Sequence, residues 1–287
     1  MARPRIAIIG AGRMGQGLGL ALQRRGYSAA LFARSERPVA ASLLLQTGDI
    51  TAVTTGAEVV IIATPDDAVT SVARQLAEAG AVLREQAVLH ISGLLDHTAL
   101  SPLRETKAGL GSMHPLQTLA DPGTAVERLQ GVYVTIEGDE PALQQAERLA
   151  RSLKMIPVRI EASAKPRYHA AASLIANYTT VLASIAERVA REAGVPPEVA
   201  RKIYLPLLKG AVDNLGEFSP VAALTGPIRR GDLATVRAHL EAFQGEDRRV
   251  YAELGRAALA LAREGGLDEA QATKMEALLN GAAATAR

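Results

Sequence analysis

Gly10-Ala11-Gly12-Arg13-Met14-Gly15 constrains this chain more than any other segment. It follows the apolar run Ile6-Ala-Ile-Ile9 of an expected strand over 5–9, and it opens a helical pattern over 15–25. In such a turn the first glycine permits a sharp reversal. The second lets backbone N–H groups approach a pyrophosphate, and the third lets helix and strand pack closely. The helix N-terminus adds partial positive charge. A bare G-x-G-x-x-G is a weak signal, but set between a strand and a helix it predicts a dinucleotide site formed by residues 10–15. The bland alternative is a glycine-rich turn with no ligand.

Short β-type runs continue at 28–33, 58–63, 86–91, 110–113, 132–136 and 155–160. Helical patterns lie between them, over 37–47, from a cap at Asp67 to about 79, over 96–105 and from Pro141. This alternation predicts an α/β architecture, a doubly wound and mostly parallel Rossmann sheet. From Arg167 onward the periodicity is helical, broken at glycine and proline clusters such as Thr225-Gly-Pro227. With 287 residues and roughly 100–200 residues per domain, two domains are expected: a nucleotide-binding domain over 1–162 and an all-helical domain over 163–287.

Composition narrows the function. The chain has no cysteine, which excludes disulfides and thiolate metal sites, and the histidines show no metal spacing, so no metal is expected. The residues before Ile6 show no signal peptide, so a cytoplasmic location is expected. Basic residues are scattered, net charge is +2 and aromatics are 3%, a pattern that does not suit nucleic acid. Residues 168–186 lack charge, but they carry His169, Ser173, Asn177, Thr179, Thr180 and Ser184. That polarity argues for a helix buried within protein and against a membrane span.

Dinucleotide sites for NAD usually place an acid at the end of the second strand; here that position reads Arg34-Ser35. Arg34 and Ser35 suit a 2′-phosphate, which points to NADP(H), with Glu36 read as the first turn of the next helix. Thr64-Pro65 and Ser92 end two further strands on the expected crevice edge, as cofactor neighbours or simply as turn formers. His114 ends another strand there and suits proton transfer, although it could merely order the loop before Pro115. His169, Ser173 and Asn177 recur every four residues as a polar stripe that faces a cavity or an interface. Arg230, beside Arg229 on the Gly226–Asp232 loop, could hold a substrate carboxylate, unless both arginines are only solvated.

Together the Gly10–Gly15 turn, Thr64-Pro-Asp66, His114-Pro-Leu-Gln-Thr118, Tyr168-His-Ala-Ala-Ala172 with Asn177, and Gly226-Pro-x-x-Arg230-Gly-Asp232 resemble one bacterial family of Rossmann-like proteins. Its C-terminal helical domain is of unknown function. The family is related to pyrroline-5-carboxylate reductase, β-hydroxyacid dehydrogenases, prephenate dehydrogenase and ketopantoate reductase. The resemblance implies a 6-phosphogluconate-dehydrogenase-like arrangement and a homodimer formed through the helical domain. It also implies NADPH-dependent reduction of a small 2-oxo acid, a carboxylate substrate with ketopantoate as the first candidate. Reduction of a cyclic imine and a redox-silent NADP(H) sensor or scaffold are the alternatives. In those relatives His114 matches a His-Pro that faces the reacting centre. Asn177 matches an Asn one turn after a catalytic Lys, but Ser173 stands at the Lys position. His169, one turn earlier, is the expected replacement as proton donor. Lys165 precedes Pro166, outside the expected helix.

Overall fold

The computed structural model describes residues 4–284, so Met1-Ala-Arg3 of the N-terminal stretch considered above lie outside the described residues. The chain forms two compact units, Met1–Tyr178 and Thr179–Arg287. The first is built on an eight-stranded sheet. In chain order its elements are β1 (Arg5–Ile9), α1 (Arg13–Arg24), β2 (Ser28–Phe32), β3 (Leu44–Gln46), α2 (Thr51–Thr54), β4 (Val59–Ile62), α3 (Asp66–Glu78) and β5 (Ala87–His90). A 3₁₀ segment (His97–Thr106) follows, then β6 (Gly109–Pro115), α4 (Ala125–Arg128), β7 (Tyr133–Gly138), α5 (Glu140–Ser152), β8 (Ile156–Arg159) and α6 (Lys165–Ser173).

The strands lie in the order β3-β2-β1-β4-β5-β6-β7-β8. Every pairing is parallel except β6 with β7. The order reverses between β1 and β4, so the ligand crevice of such a sheet falls at their carboxyl ends. The apolar runs are continuous because the central strands are covered on both faces. Ile6 and Ile8 join Leu18 and Leu22 of α1 and Leu149 of α5 in one core. Ala7 and Ile9 join Val69 and Leu76 of α3 and Leu103 in the other. Edge strand β8 tolerates Pro157, which has no ladder N–H to donate.

Two expectations fail here for local reasons. Residues 37–43 are not helical, and 44–46 form a short parallel strand on β2. Pro38 disfavours a helical Arg37. Side chains of α1 also seize the extended backbone: Gln16 Oε1 accepts from Ala40 N (3.2 Å), and Gln23 Nε2 donates to Ser42 O (3.0 Å). Glu36 does not open a helix, and it accepts a hydrogen bond from Thr47 Oγ1. Asp67 does not cap α3. The helix starts at Asp66 behind Pro65, and both aspartates sit in its first turn, where they complement the helix dipole.

After α6 a single π turn (Leu174–Tyr178) leads into α7 (Thr179–Glu192). The expected burial of this stretch is not met within the chain: Ile175 is 76% exposed, and Leu174, Tyr178 and Val181 are also exposed. The second unit continues with α8 (Pro197–Ile203), α9 (Leu205–Glu217), α10 (Pro220–Ala223), α11 (Pro227–Arg230), α12 (Leu233–Ala242), α13 (Gly245–Glu264) and α14 (Glu269–Ala284). Its core joins Val236 and Leu240 of α12, Ala252 and Leu259 of α13, and Met275 and Leu279 of α14. Among the described residues no helix is long and apolar enough to cross a membrane.

The glycines of the first turn differ in what requires them. Gly10 has φ +119°, and a Cβ there would lie 2.4 Å from Ala63 O. A Cβ on Gly15 would lie 2.0 Å from Gly10 O. Gly12 has an ordinary φ of −76°, and its Cβ would meet nothing within 4 Å. Gly10→Ala is therefore expected to lower unfolding stability by about 2 kcal/mol or more, whereas Gly12→Ala stays within about 0.5 kcal/mol of the parent. Denaturant midpoints at constant m check both, and equal midpoints for the two variants would refute the assignment.

Candidate active site

At the carboxyl ends of β1 and β4 the backbone forms a cradle. Gly10 N donates to Phe32 O and Ala63 N to Ile9 O, which locks the turn to the sheet. Gly12 is the N-cap of α1 and supplies no side-chain cap, and the first turn holds no acid. The first N–H groups of a helix lack intrahelical partners, so this end suits an anion. Residues 10–15 line the turn, with Gly12 and Arg13 exposed. Beside them at the end of β4, Thr64 Oγ1 is buried without a hydrogen-bond partner, and Pro65 follows it exposed. An orphaned hydroxyl next to an uncapped helix end and open space above Gly12 fit a pyrophosphate. Arg34 and Ser35 are exposed just beyond β2, and Arg34 forms no ion pair among the described residues.

Further along the same edge, His114 near the end of β6 faces Tyr168 and His169 of α6. His114 Nδ1 and the Tyr168 hydroxyl are hydrogen-bonded at 3.0 Å, and the two rings meet edge to face. The His114 and His169 ring centroids are 5.7 Å apart, also edge to face. A cleft of about 640 Å³ opens in front, and His169, Ser173 and Asn177 all contribute to its wall. The polar stripe thus faces one cavity although the π turn interrupts the α-helical spacing. The cleft lining contains no carboxylate, Lys or Arg. His169 Nδ1 is buried without a hydrogen bond, and a Cβ on Gly93 would lie 2.4 Å from it. The same Cβ would lie 2.8 Å from His114 Cε1. Gly93 therefore backs both imidazoles.

The floor beneath is polar and buried. β-Sheet register sets His90, Ser112 and Glu137 side by side across β5, β6 and β7. His90 Nδ1 accepts from Ser92 N (3.2 Å), and its Nε2 donates to Asp96 O (3.0 Å). Ser92 Oγ accepts from Leu94 and Leu95 N, so this residue shapes the loop under the cleft. Lys165 is the first residue of α6 and fully buried. This corrects its expected place outside the helix, because Pro166 lies in the first turn, where proline is tolerated. Sequence alone assigns no site role to Tyr168, places Gly93 only beside Ser92 at a strand end, and passes over Lys165 for His169. For Lys165 the signal was present, one helical turn before His169 on the same face.

Arg230 lies in the second unit, exposed at the end of α11. Its neighbour Arg229 donates to Gly265 O (2.7 Å), and Asp232 caps α12 through Thr235.

Residues 1–115 match the model of a Rossmann-like domain, and residues 132–258 match a domain of unknown function, DUF2520. The chain thus pairs a Rossmann-like domain with a DUF2520 domain. No curated protein matches the sequence. The fold is similar to that of protein TM1727 from Thermotoga maritima (24% identity, 90% of this chain and 98% of that one, TM-score 0.69). It is also similar to BF3122 from Bacteroides fragilis, named as an NADP oxidoreductase (21% identity, 90% and 98%, TM-score 0.74). A pyrroline carboxylate reductase from Plasmodium falciparum with NADP bound is similar over 97% of this chain and 99% of that one (13% identity, TM-score 0.63).

Burial holds the floor histidines neutral. It depresses His114 to about 4, with the positive field of His169 and Lys165 acting in the same sense. Burial likewise brings His90 to about 4, against the stabilising hydrogen bond to Asp96 O. A protonated His90 Nδ1 could no longer accept from Ser92 N. Both groups bind a proton more weakly folded than unfolded. Their contribution is complete above the unfolded value of 6.5 and is lost as pH falls from there toward about 4. Melting temperature should therefore drop across that window. His90→Gln should flatten the drop while lowering stability at pH 8, and an unchanged slope would contradict the assignment.

Proposed function

We propose that this protein is an NADPH-dependent reductase of a small 2-oxo acid, with ketopantoate as the first substrate to try. The observation that carries the reading is Gly12. Neither backbone conformation nor packing requires glycine there, and the space beside the α1 terminus is open to a ligand. The uncapped α1 terminus and Thr64 would hold the pyrophosphate, and Arg34 with Ser35 the 2′-phosphate. NADPH, when bound, supplies the hydride for the substrate carbon. The chain's own part is to hold and protonate the oxygen. The neutral imidazole of His114 can donate from Nε2 to the developing alkoxide, with Tyr168 fixing it at Nδ1, and His169 is the other candidate donor. Asn177 would orient the substrate.

A cyclic imine is the second reading. His114 is held neutral down to about pH 4, and a substrate that arrives protonated needs no strong acid from the protein. The pyrroline carboxylate reductase named above shares the fold. NADPH absorbance loss over a panel of 2-oxo acids and cyclic imines separates the two. For a 2-oxo acid, His114→Ala or His169→Ala should cut kcat by about 10²-fold or more, whereas for an imine both should cost less than about tenfold. Near-normal 2-oxo acid turnover by both variants would refute the acid assignment. NADPH binding without turnover of any substrate would point to a redox-silent NADP(H)-binding sensor.

Cofactor selectivity has its own test. Arg34→Glu should weaken NADPH binding by at least about tenfold and leave NADH little changed; Gly12→Ala should weaken both. Equal loss with both nucleotides in Arg34→Glu would remove Arg34 from the 2′-phosphate site.

The exposed apolar side chains of α8 and α9, among them Leu207 at 73% and Val212 at 59%, support a homodimer formed through the helical unit. Light scattering should return twice the 30.1 kDa chain mass; a monomer at micromolar concentration would overturn this.

A further inference from the structure

The floor of the cleft holds a cation that none of the steps above uses. Lys165 Nζ donates to Ser92 O (3.1 Å) and to Ser112 Oγ (2.8 Å). Ser112 in turn donates to Glu137 Oε2 (3.2 Å), a buried carboxylate that also accepts from the backbone and ring of His97. We propose that Lys165 is a positioning residue: its ammonium fastens α6 to the carboxyl ends of β5 and β6 and, through Ser92 and Gly93, sets the separation of His114 and His169. This rests on the reading of that cleft as the reactive site.

Three placements carry it. Lys165 and His169 are four residues apart on one face of α6, so anchoring the first orients the second. Ser112 and His114 are two apart on β6, so Lys165 holds the strand that carries the other imidazole. Ser92, whose carbonyl takes the second grip, precedes Gly93, and the Gly93 Cα packs too close to both rings to admit a methyl group.

A purely stabilising role suits this arrangement poorly. The ammonium meets Glu137 only through Ser112, and burying a charge pair gains little over apolar side chains of similar size. What the ammonium supplies is direction, because its bonds reach a loop and a strand that no apolar side chain could hold in register. The charged and titratable groups facing His114 are Tyr168 and His169 from α6, His90 from β5, Asp66 from α3, and Lys165 itself. Those facing Lys165 are His114 and His90, with Glu137 from β7, Asp96 at the start of the 3₁₀ segment, and Asp66. Burial pulls the Lys165 pKa below 10.5 and these acids oppose it.

The test uses the full-length chain without cofactor, so it does not depend on turnover. In Lys165→Met, the nuclear Overhauser contacts between Gly93 Hα and the two imidazoles should weaken. The His114 titration should rise by roughly one pH unit from its low value while staying below an ordinary histidine. Lys165→Met/Glu137→Gln removes both charges. It should recover stability lost in the single variant without restoring the contacts or the titration. Unchanged contacts and an unchanged His114 titration in either variant would overturn the proposal. If both fail to fold, the unaltered protein decides: an Overhauser contact between the Lys165 ε-methylene and the Ser92–Gly93 loop is expected, and its absence overturns the proposal. Where the wild type turns over a substrate, Lys165→Met should lower kcat at least about tenfold with a smaller change in KM for NADPH. A wild type without turnover would sink the reductase reading and leave the spectroscopic result to judge Lys165.

Discussion

Everything at the crevice depends on three backbones meeting without side chains between them. Gly10 at the end of β1 lies against Ala63 at the end of β4, and Gly15 in the first turn of α1 lies against Gly10. No side chain fits either contact, so β1, β4 and α1 approach at backbone distance. This close approach places the free N–H groups of α1 over the switch point of the sheet, where the strand order reverses. The crevice is thus a consequence of packing, and the open space above Gly12 is the part of it that packing does not explain.

The same division explains what the residues reveal before folding. β1, β4 and β5 are legible because strands buried on both faces must be apolar throughout, and such runs have few other readings. The segment over 37–47 misleads because its pattern is helical while its fate is set by contacts distant in sequence. Gln16 and Gln23 of α1 supply hydrogen bonds that a helix would have found within itself. The stretch after Lys165 misleads differently. Its lack of charge argues against an ordinary solvated helix, but the side chains it was expected to bury are exposed in the single chain. Apolarity reports that a surface needs covering; it does not say which molecule covers it.

In the cleft, residues placed by strand end or helical spacing are legible in the sequence, and those brought together by register are not. His114 follows from the rule that sites gather at the carboxyl ends of strands, and His169 with Asn177 from helical spacing. The row His90–Ser112–Glu137 exists only once β5, β6 and β7 are paired, and the β6–β7 pairing is antiparallel within an otherwise parallel sheet. No periodicity in one strand could have foretold that row. Lys165 was set aside because of the following proline, yet proline in the first turn of a helix costs nothing and leaves Lys165 facing inward.

The electrostatics of the cleft then follow from its floor. A buried ammonium and two desolvated imidazoles lie close together, so any further positive charge there is disfavoured. The cleft wall has no carboxylate to compensate. Such a site does not store a proton on histidine at neutral pH. It can donate a hydrogen bond from a neutral ring to charge that develops on oxygen. The Lys165 ammonium beneath is linked through Ser112 to the buried Glu137 carboxylate, so the floor carries a charge pair and not a net positive field. The depressed His114 therefore acts as a neutral hydrogen-bond donor to the reacting oxygen and not as a charged acid held ready at neutral pH.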